Sequence, residues 1–507
     1  MEKYNEIITS LARKKRNVVG EYSILTTLIS SIHDIESGFN IPYNLSIKEF
    51  NENFIEIEKA LTYYHEMSHY ISYLSTTNCI LHHLSYTNVI DNILKMLDRH
   101  VRFKLPLNLY YKEILNKAQN NNNLTDDDHS FSSYFTGTLE LSENARWLEG
   151  TLSEEGLFFK LYQRKPLLNG AAYSLNFKTE FLNIFSSGIV SKEYWLYDIY
   201  RDNFKSLGIL QLCECFAKSI EFEHLAWFNS NIYENILQQW INDIDAIDYN
   251  LPARIFYELQ QRGFLRADRK IDFFWAHMRI FIDISLMHSD YLLTDEISFR
   301  KNTNTHLLSS TIQPGVTFFR VLEAFNKCKP LKNHNEDILR LYDDLCMTLN
   351  IPSLPEMINK LIRLIKIRFD IENGKTSLTA GYYTLIMQML EKKLENPLLF
   401  INDLIYSDKF ENIEKVIKPF SRINTPKGLF ADESNFLNLL LLEQVEIFIY
   451  ELLNNYPIRC SYDLTMNKYE TNKTTVRTCL PKKEKYSDCS NCPILSYIEL
   501  VENQKLN

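Results

Sequence analysis

Along most of the chain, apolar residues recur every three or four positions, the spacing of helices that bury one face. It predicts helices over residues 53–78, 85–118, Phe135–Gly150 and Leu207–Phe228, and helix-rich stretches over 232–295 and 316–455. Within the last stretch, DILRLYDDLCMTL and EMINKLIRLIKIRF carry the pattern clearly. The apolar, β-branched run Tyr22–Ile32 fits either a strand or a short helix. Loops are expected at Gly38–Asn44 and at the polar run 120–130 (NNNNLTDDDHS), with breaks at 300–316, 327–336 and 372–378. The helical signal fades near Pro457, where Cys, Lys, Thr and Ser take over.

Composition strengthens the helical reading. The 507 residues include only 13 Gly and 14 Pro, well below the usual shares of roughly 7% and 5%. Few breakers mean long uninterrupted elements. The expected fold class is mainly α.

One of these helices carries chemistry. Thr62–Ser75 contains His65, Glu66 and His69, an H-E-x-x-H motif. Histidines four apart lie one turn above the other on one face, so both imidazoles can reach one metal ion. Glu66, three before His69, borders that face. Zinc lowers the pKa of a bound water to about 7, and a carboxylate beside it can take the proton and pass it to a leaving amine. Around the motif, Tyr63, Tyr64, Met67, Ser68 and Tyr70 are uncharged and Ile71 is apolar. The bland reading is a solvated His/Glu face; these neighbours argue against it.

With this environment, Thr-x-x-His-Glu-x-x-His-x-apolar, the segment resembles the zincin metallopeptidases. Such domains often place a strand before the active-site helix, and a strand near Tyr22 would suit that order. No Gly-x-x-His follows His69, so the metzincin extension is missing. The resemblance then implies the gluzincin branch, in which a glutamate on a later helix is the third ligand. Two glutamates qualify. Glu214, in LCECFAKSIE, has the Glu-x-x-Ala spacing common around such ligands. Glu143, in LSENARWLEG, is nearer in sequence. Either could instead be an ordinary surface carboxylate, and His82 and His83 remain further donors. The pairing of HEMSHYISYLSTT with LGILQLCECFAKSIE is also distantly similar to uncharacterised bacterial zincin-like proteins.

The tail holds a second cluster. Cys460, Cys479, Cys489 and Cys492 fall within the last 48 residues, the final pair as C-x-x-C. Four thiolates suffice for a second Zn2+ or for an iron–sulfur cluster; reduced thiols in a small terminal element are the alternative. Cys79, Cys213, Cys215, Cys328 and Cys346 read as small buried hydrophobes.

Net charge is −9, which argues against a nucleic-acid partner despite basic residues in the tail. There is neither an apolar signal-peptide core nor an apolar run of 18 residues, so the expectation is a cytoplasmic chain without a membrane partner. The organisation expected is a zincin-like catalytic region (1–250), a helical extension (251–456) and a Cys-rich metal-binding tail (457–507). The expected function is that of a zinc metallopeptidase: Glu66 catalytic, His65, His69 and Glu214 or Glu143 on the zinc, a peptide or protein as substrate, and a regulatory protein as a further partner. The rival is a metal-binding regulatory or interaction protein without peptidase turnover.

Overall fold

Helices dominate the computed structural model. It describes residues 20–23, 28–31, 41–42, 44–100, 107–120, 123–149, 207–243, 246–261, 265, 273–289, 292, 314–331, 336–372, 377–401, 422–425 and 428–430. The N-terminal part contains strands β1 (Gly20–Ser23) and β2 (Leu28–Ser31), then helices α1 (Ile47–Glu52), α2 (Phe54–Ser75), α3 (Thr77–His100), α4 (Leu107–Gln119) and α5 (Asp126–Glu149). Next come α6 (Ile209–Phe228), α7 (Ser230–Asn242), α8 (Ile247–Gln261) and α9 (Phe274–Met287). The series continues with α10 (Pro314–Phe325), α11 (Glu336–Leu349), α12 (Leu354–Glu372), α13 (Ser377–Glu395) and α14 (Pro397–Ile401). Strands β3 (Arg422–Thr425) and β4 (Gly428–Phe430) follow.

The motif helix α2 lies at the centre. From Ala60 to Ser75 every residue except Tyr64 is buried. A helix buried on all sides has neighbours on all sides. Here they are α6, α13, α3 and α1, together with β1 and β2. No Pro or Gly interrupts α2, and it ends where Thr76 turns extended (φ −127°, ψ 141°). The Thr76 hydroxyl donates to the Ser72 carbonyl (2.8 Å), and one residue later α3 begins. Helix α9, buried along its whole length, is a second axis packed against α3, α6, α8, α10, α11 and α14.

The four strands form one sheet in the order β1-β2-β3-β4. The β1–β2 and β3–β4 pairs are antiparallel and β2–β3 is parallel, with Ile29 opposite Ile423. The run Tyr22–Ile32, open between strand and short helix in the sequence, holds part of β1 and all of β2, and the sheet joins residues 422–430 to them.

Extension helices also reach that core, since α13 packs on α2 and α9 on both α3 and α6. The expected boundary at 250/251 falls inside α8.

Several expected bounds are corrected: the helix expected over 53–78 breaks at Thr76, and α10 starts at Pro314, inside the break expected at 300–316. The run 120–130 is not all loop, because α5 starts at Asp126. Thr125 and Asp128 cap it reciprocally: the Asp128 N–H donates to Thr125 Oγ1 (3.1 Å) and the Thr125 N–H to Asp128 Oδ2 (3.1 Å). The acidic run therefore marks a helix N-terminus, where negative charge is stabilised by the helix dipole. Cys460, Cys479, Cys489 and Cys492, with the rest of the tail, lie outside the described residues.

Candidate metal centre

Two helices build the site. Helix α2 presents His65 and His69 from successive turns, and α6 packs on α2 and presents Glu214. Backbone bonds fix the approach of the chain to α6: the N–H groups of Asn44 and Leu45 donate to the carbonyls of Trp227 and Phe228 (both 2.8 Å), and Asn229 Nδ2 donates to the Leu45 carbonyl (2.7 Å). At the other end of α6, the Gly208 N–H donates to Gln211 Oε1 (3.1 Å). Ala217, one turn beyond Glu214, is fully buried, as the Glu-x-x-Ala spacing suggests for a close helix contact.

Three acceptor atoms converge. His65 Nε2 lies 3.2 Å from His69 Nε2 and 3.2 Å from Glu214 Oε2, and His69 Nε2 lies 3.5 Å from the same oxygen. Ligands held at 2.0–2.1 Å around a tetrahedral ion stand about 3.3 Å apart. The triangle is thus the size of one face of such a site. His65, His69 and Glu214 form the group among the described residues that could hold a metal ion.

Access is one-sided. The side chains of His65 and His69 are 11% and 9% exposed, against 29% for Glu214, so the cluster meets solvent beside the glutamate. Structural zinc sites close with four protein ligands, whereas catalytic ones leave a position open. Three protein groups and a wet edge would leave a position open on an ion held here.

Charge shapes the His65 imidazole and the Glu214 carboxylate. Burial alone would lower the pKa of His65, but the carboxylates of Glu214, Glu221 and Glu66 outweigh it and bring it to about 9. Burial would raise Glu214, but His69 and His65 outweigh it and hold the carboxyl well below its usual range. Both shifts describe acceptors crowded together until a positive charge sits among them. Glu66 is buried, one residue after His65.

Of the other candidate ligands, the side chains of His82 and His83 are described and that of Glu143, which lies on α5, is not. His82 pairs with Glu149 (Nε2···Oε1 2.9 Å), and the His83 ring stacks on Tyr382. Neither histidine joins the cluster. Cys79, Cys213, Cys215 and Cys346 are buried free thiols, with Cys79 Sγ 3.5 Å from Cys213 Sγ, and Cys328 is half-buried.

Sequence reasoning missed Glu221. Its Oε2 lies 3.3 Å from His65 Nδ1 and 2.6 Å from Lys218 Nζ. A signal did exist: Glu221 stands seven residues after Glu214, two turns along the same helix face. Comparison with protein-family models, curated proteins and solved structures finds no match to this chain. No described helix is long and apolar enough to cross a membrane.

Proposed function

We propose that the chain is a zinc-dependent peptidase of gluzincin type. The observation that carries this reading is the acceptor triangle of His65, His69 and Glu214, with Glu66 one residue from the first ligand. Two imidazoles and a carboxylate suit Zn2+, and such a set with an open position is the usual catalytic one. Zinc, when bound, supplies a Lewis acid that acidifies water and polarises a carbonyl.

The chain's own groups do the rest. His65, His69 and Glu214 hold the ion. The Glu66 carboxylate takes a proton from the attacking water and returns it to the departing amine. A peptide reaches the site from the exposed side of Glu214, while the buried walls of α2 and α6 keep bulk water from the other sides. The low-dielectric surroundings strengthen each of these interactions.

Metal content and turnover test the proposal together. Purified protein should hold one zinc per chain at this site, lost in His65→Ala. Glu66→Gln should keep the zinc and lose peptide-library cleavage by on the order of 10²- to 10⁴-fold. Cleavage that survives Glu66→Gln at wild-type rate sinks the mechanism. Zinc bound without cleavage of any library peptide favours a metal-binding regulatory protein.

A further inference from the structure

We infer that Lys218 and Glu221 are positioning residues for His65, a buried relay that fixes the ring so that its Nε2 lone pair faces the metal position. The inference rests on the metal reading above and adds residues that the motif does not contain.

Geometry comes first. Glu221 Oε2 stands between Lys218 Nζ at 2.6 Å and His65 Nδ1 at 3.3 Å. The side chains of Lys218 and Glu221 are 7% and 6% exposed. The Nδ1 approach is within ion-pair range without meeting hydrogen-bond geometry. An imidazole can offer Nε2 to a metal only with its proton on Nδ1. In a buried site that Nδ1–H requires an acceptor, and the nearby carboxylate is Glu221. Carboxylates in this position fix the ring and raise its basicity as a ligand.

Lys218 explains why such a carboxylate is tolerated. A buried carboxylate without a counter-charge is costly, and Lys218 supplies that charge three residues away on α6. Glu66, Glu214 and Glu221 together bring negative charge to His65. Replacing Lys218 by a neutral residue would free Glu221 to turn toward the ion or take up a proton, and in either case His65 loses its guide.

The test uses metal-free full-length chain titrated with Zn2+ against a chromogenic chelator, and Co2+ absorption as the spectroscopic signature. Glu221→Gln should weaken zinc binding by about 10- to 100-fold and shift the Co2+ bands. Lys218→Met should weaken it as well, and Lys218→Arg should restore most of it. Nitrogen NMR of His65 in the zinc-loaded wild type should show the proton on Nδ1, a readout that needs no variant. Wild-type affinity and an unchanged Co2+ spectrum in folded Glu221→Gln would overturn the relay alone, as would His65 ligating through Nδ1. A wild type that takes up neither Zn2+ nor Co2+ overturns the metal reading and the relay with it.

Discussion

The middle and the C-terminal end of α2 are both lined by buried ionisable groups, yet they are finished differently. At the end, Lys393 of α13 donates to the Ser75 carbonyl (3.2 Å) and to Asp283 Oδ1 (2.6 Å), and the Tyr342 hydroxyl donates to Asp283 Oδ2 (2.9 Å). Lys393 is fully buried and Asp283 almost so. One cation meets one anion, and the ammonium sits at the negative end of the helix dipole. In the middle, three acceptor atoms face one another within 3.5 Å. The first network is complete as the chain folds. The second leaves three ligand atoms facing one another, an arrangement that an ion could join, and this separates an anchor from a candidate binding site built of the same residue types.

The comparison breaks most visibly at the anchor. Lys393→Met leaves Asp283 buried without its counter-charge and should cost about 3–5 kcal/mol in denaturant unfolding. Adding Asp283→Leu removes the stranded charge, so the double variant should recover most of that loss. Simple additivity of the two losses would show that the pair is not coupled.

A third buried histidine sharpens the contrast. His277 Nδ1 lies 2.9 Å from the Phe273 carbonyl, and its Nε2 accepts from the Leu331 N–H (3.2 Å). One nitrogen donates and the other accepts, so this ring is satisfied as a neutral group. Burial lowers its pKa to about 4, against the slight opposing pull of the Phe273 carbonyl. The folded value lies below the unfolded one, so the unfolded chain takes up the proton first as pH falls. The contribution is whole above about pH 6.5 and lost progressively down to about pH 4, on the order of 3 kcal/mol. The cost of His277→Gln should therefore shrink between pH 7 and pH 4.5 in thermal unfolding. A cost independent of pH would mean that the ring titrates alike in the folded and unfolded chain.

Zinc itself should add about 2.7 kcal/mol of stability at 100 times its Kd. The gain should vanish in His65→Ala and survive in Lys393→Met, because Ser75 lies six residues, about 9 Å of helix, beyond His69. A zinc response lost in Lys393→Met would join the two networks into one.

How much of this could be read beforehand depends on range in sequence. The helix period and scarce Gly and Pro predict the helical body, and His65, Glu66 and His69 declare themselves within five residues. Glu214 carries a partial signal in its Ala217 neighbour, but its approach to His65 comes from helix packing across 149 residues and has no local mark. The anchor has almost no local mark: Lys393 sits in EKKLE, which looks like a solvated face, and its partner Asp283 is 110 residues away. Asp283 does interrupt the apolar run IFIDISLM. A charge in such a run implies a buried partner, but only the fold supplies its name.

Tyr342→Phe is the smallest change and the most discriminating. Burial, with Asp283 and other acids nearby, holds the Tyr342 hydroxyl well above its usual pKa, so it serves as a neutral donor at any working pH. Removing it takes one donor from Asp283 Oδ2 and leaves the Lys393 pair in place, a loss of about 1–2 kcal/mol in denaturant unfolding. Zinc affinity should not move, because nothing at the acceptor triangle depends on that donor. Glu221→Gln should do the reverse, weakening zinc while altering the stability of the metal-free chain far less. Opposite outcomes in the two variants would separate anchoring from ligand positioning on a single helix. Parallel outcomes would mean that α2 transmits strain between its middle and its end, and that the closed network is part of the metal site.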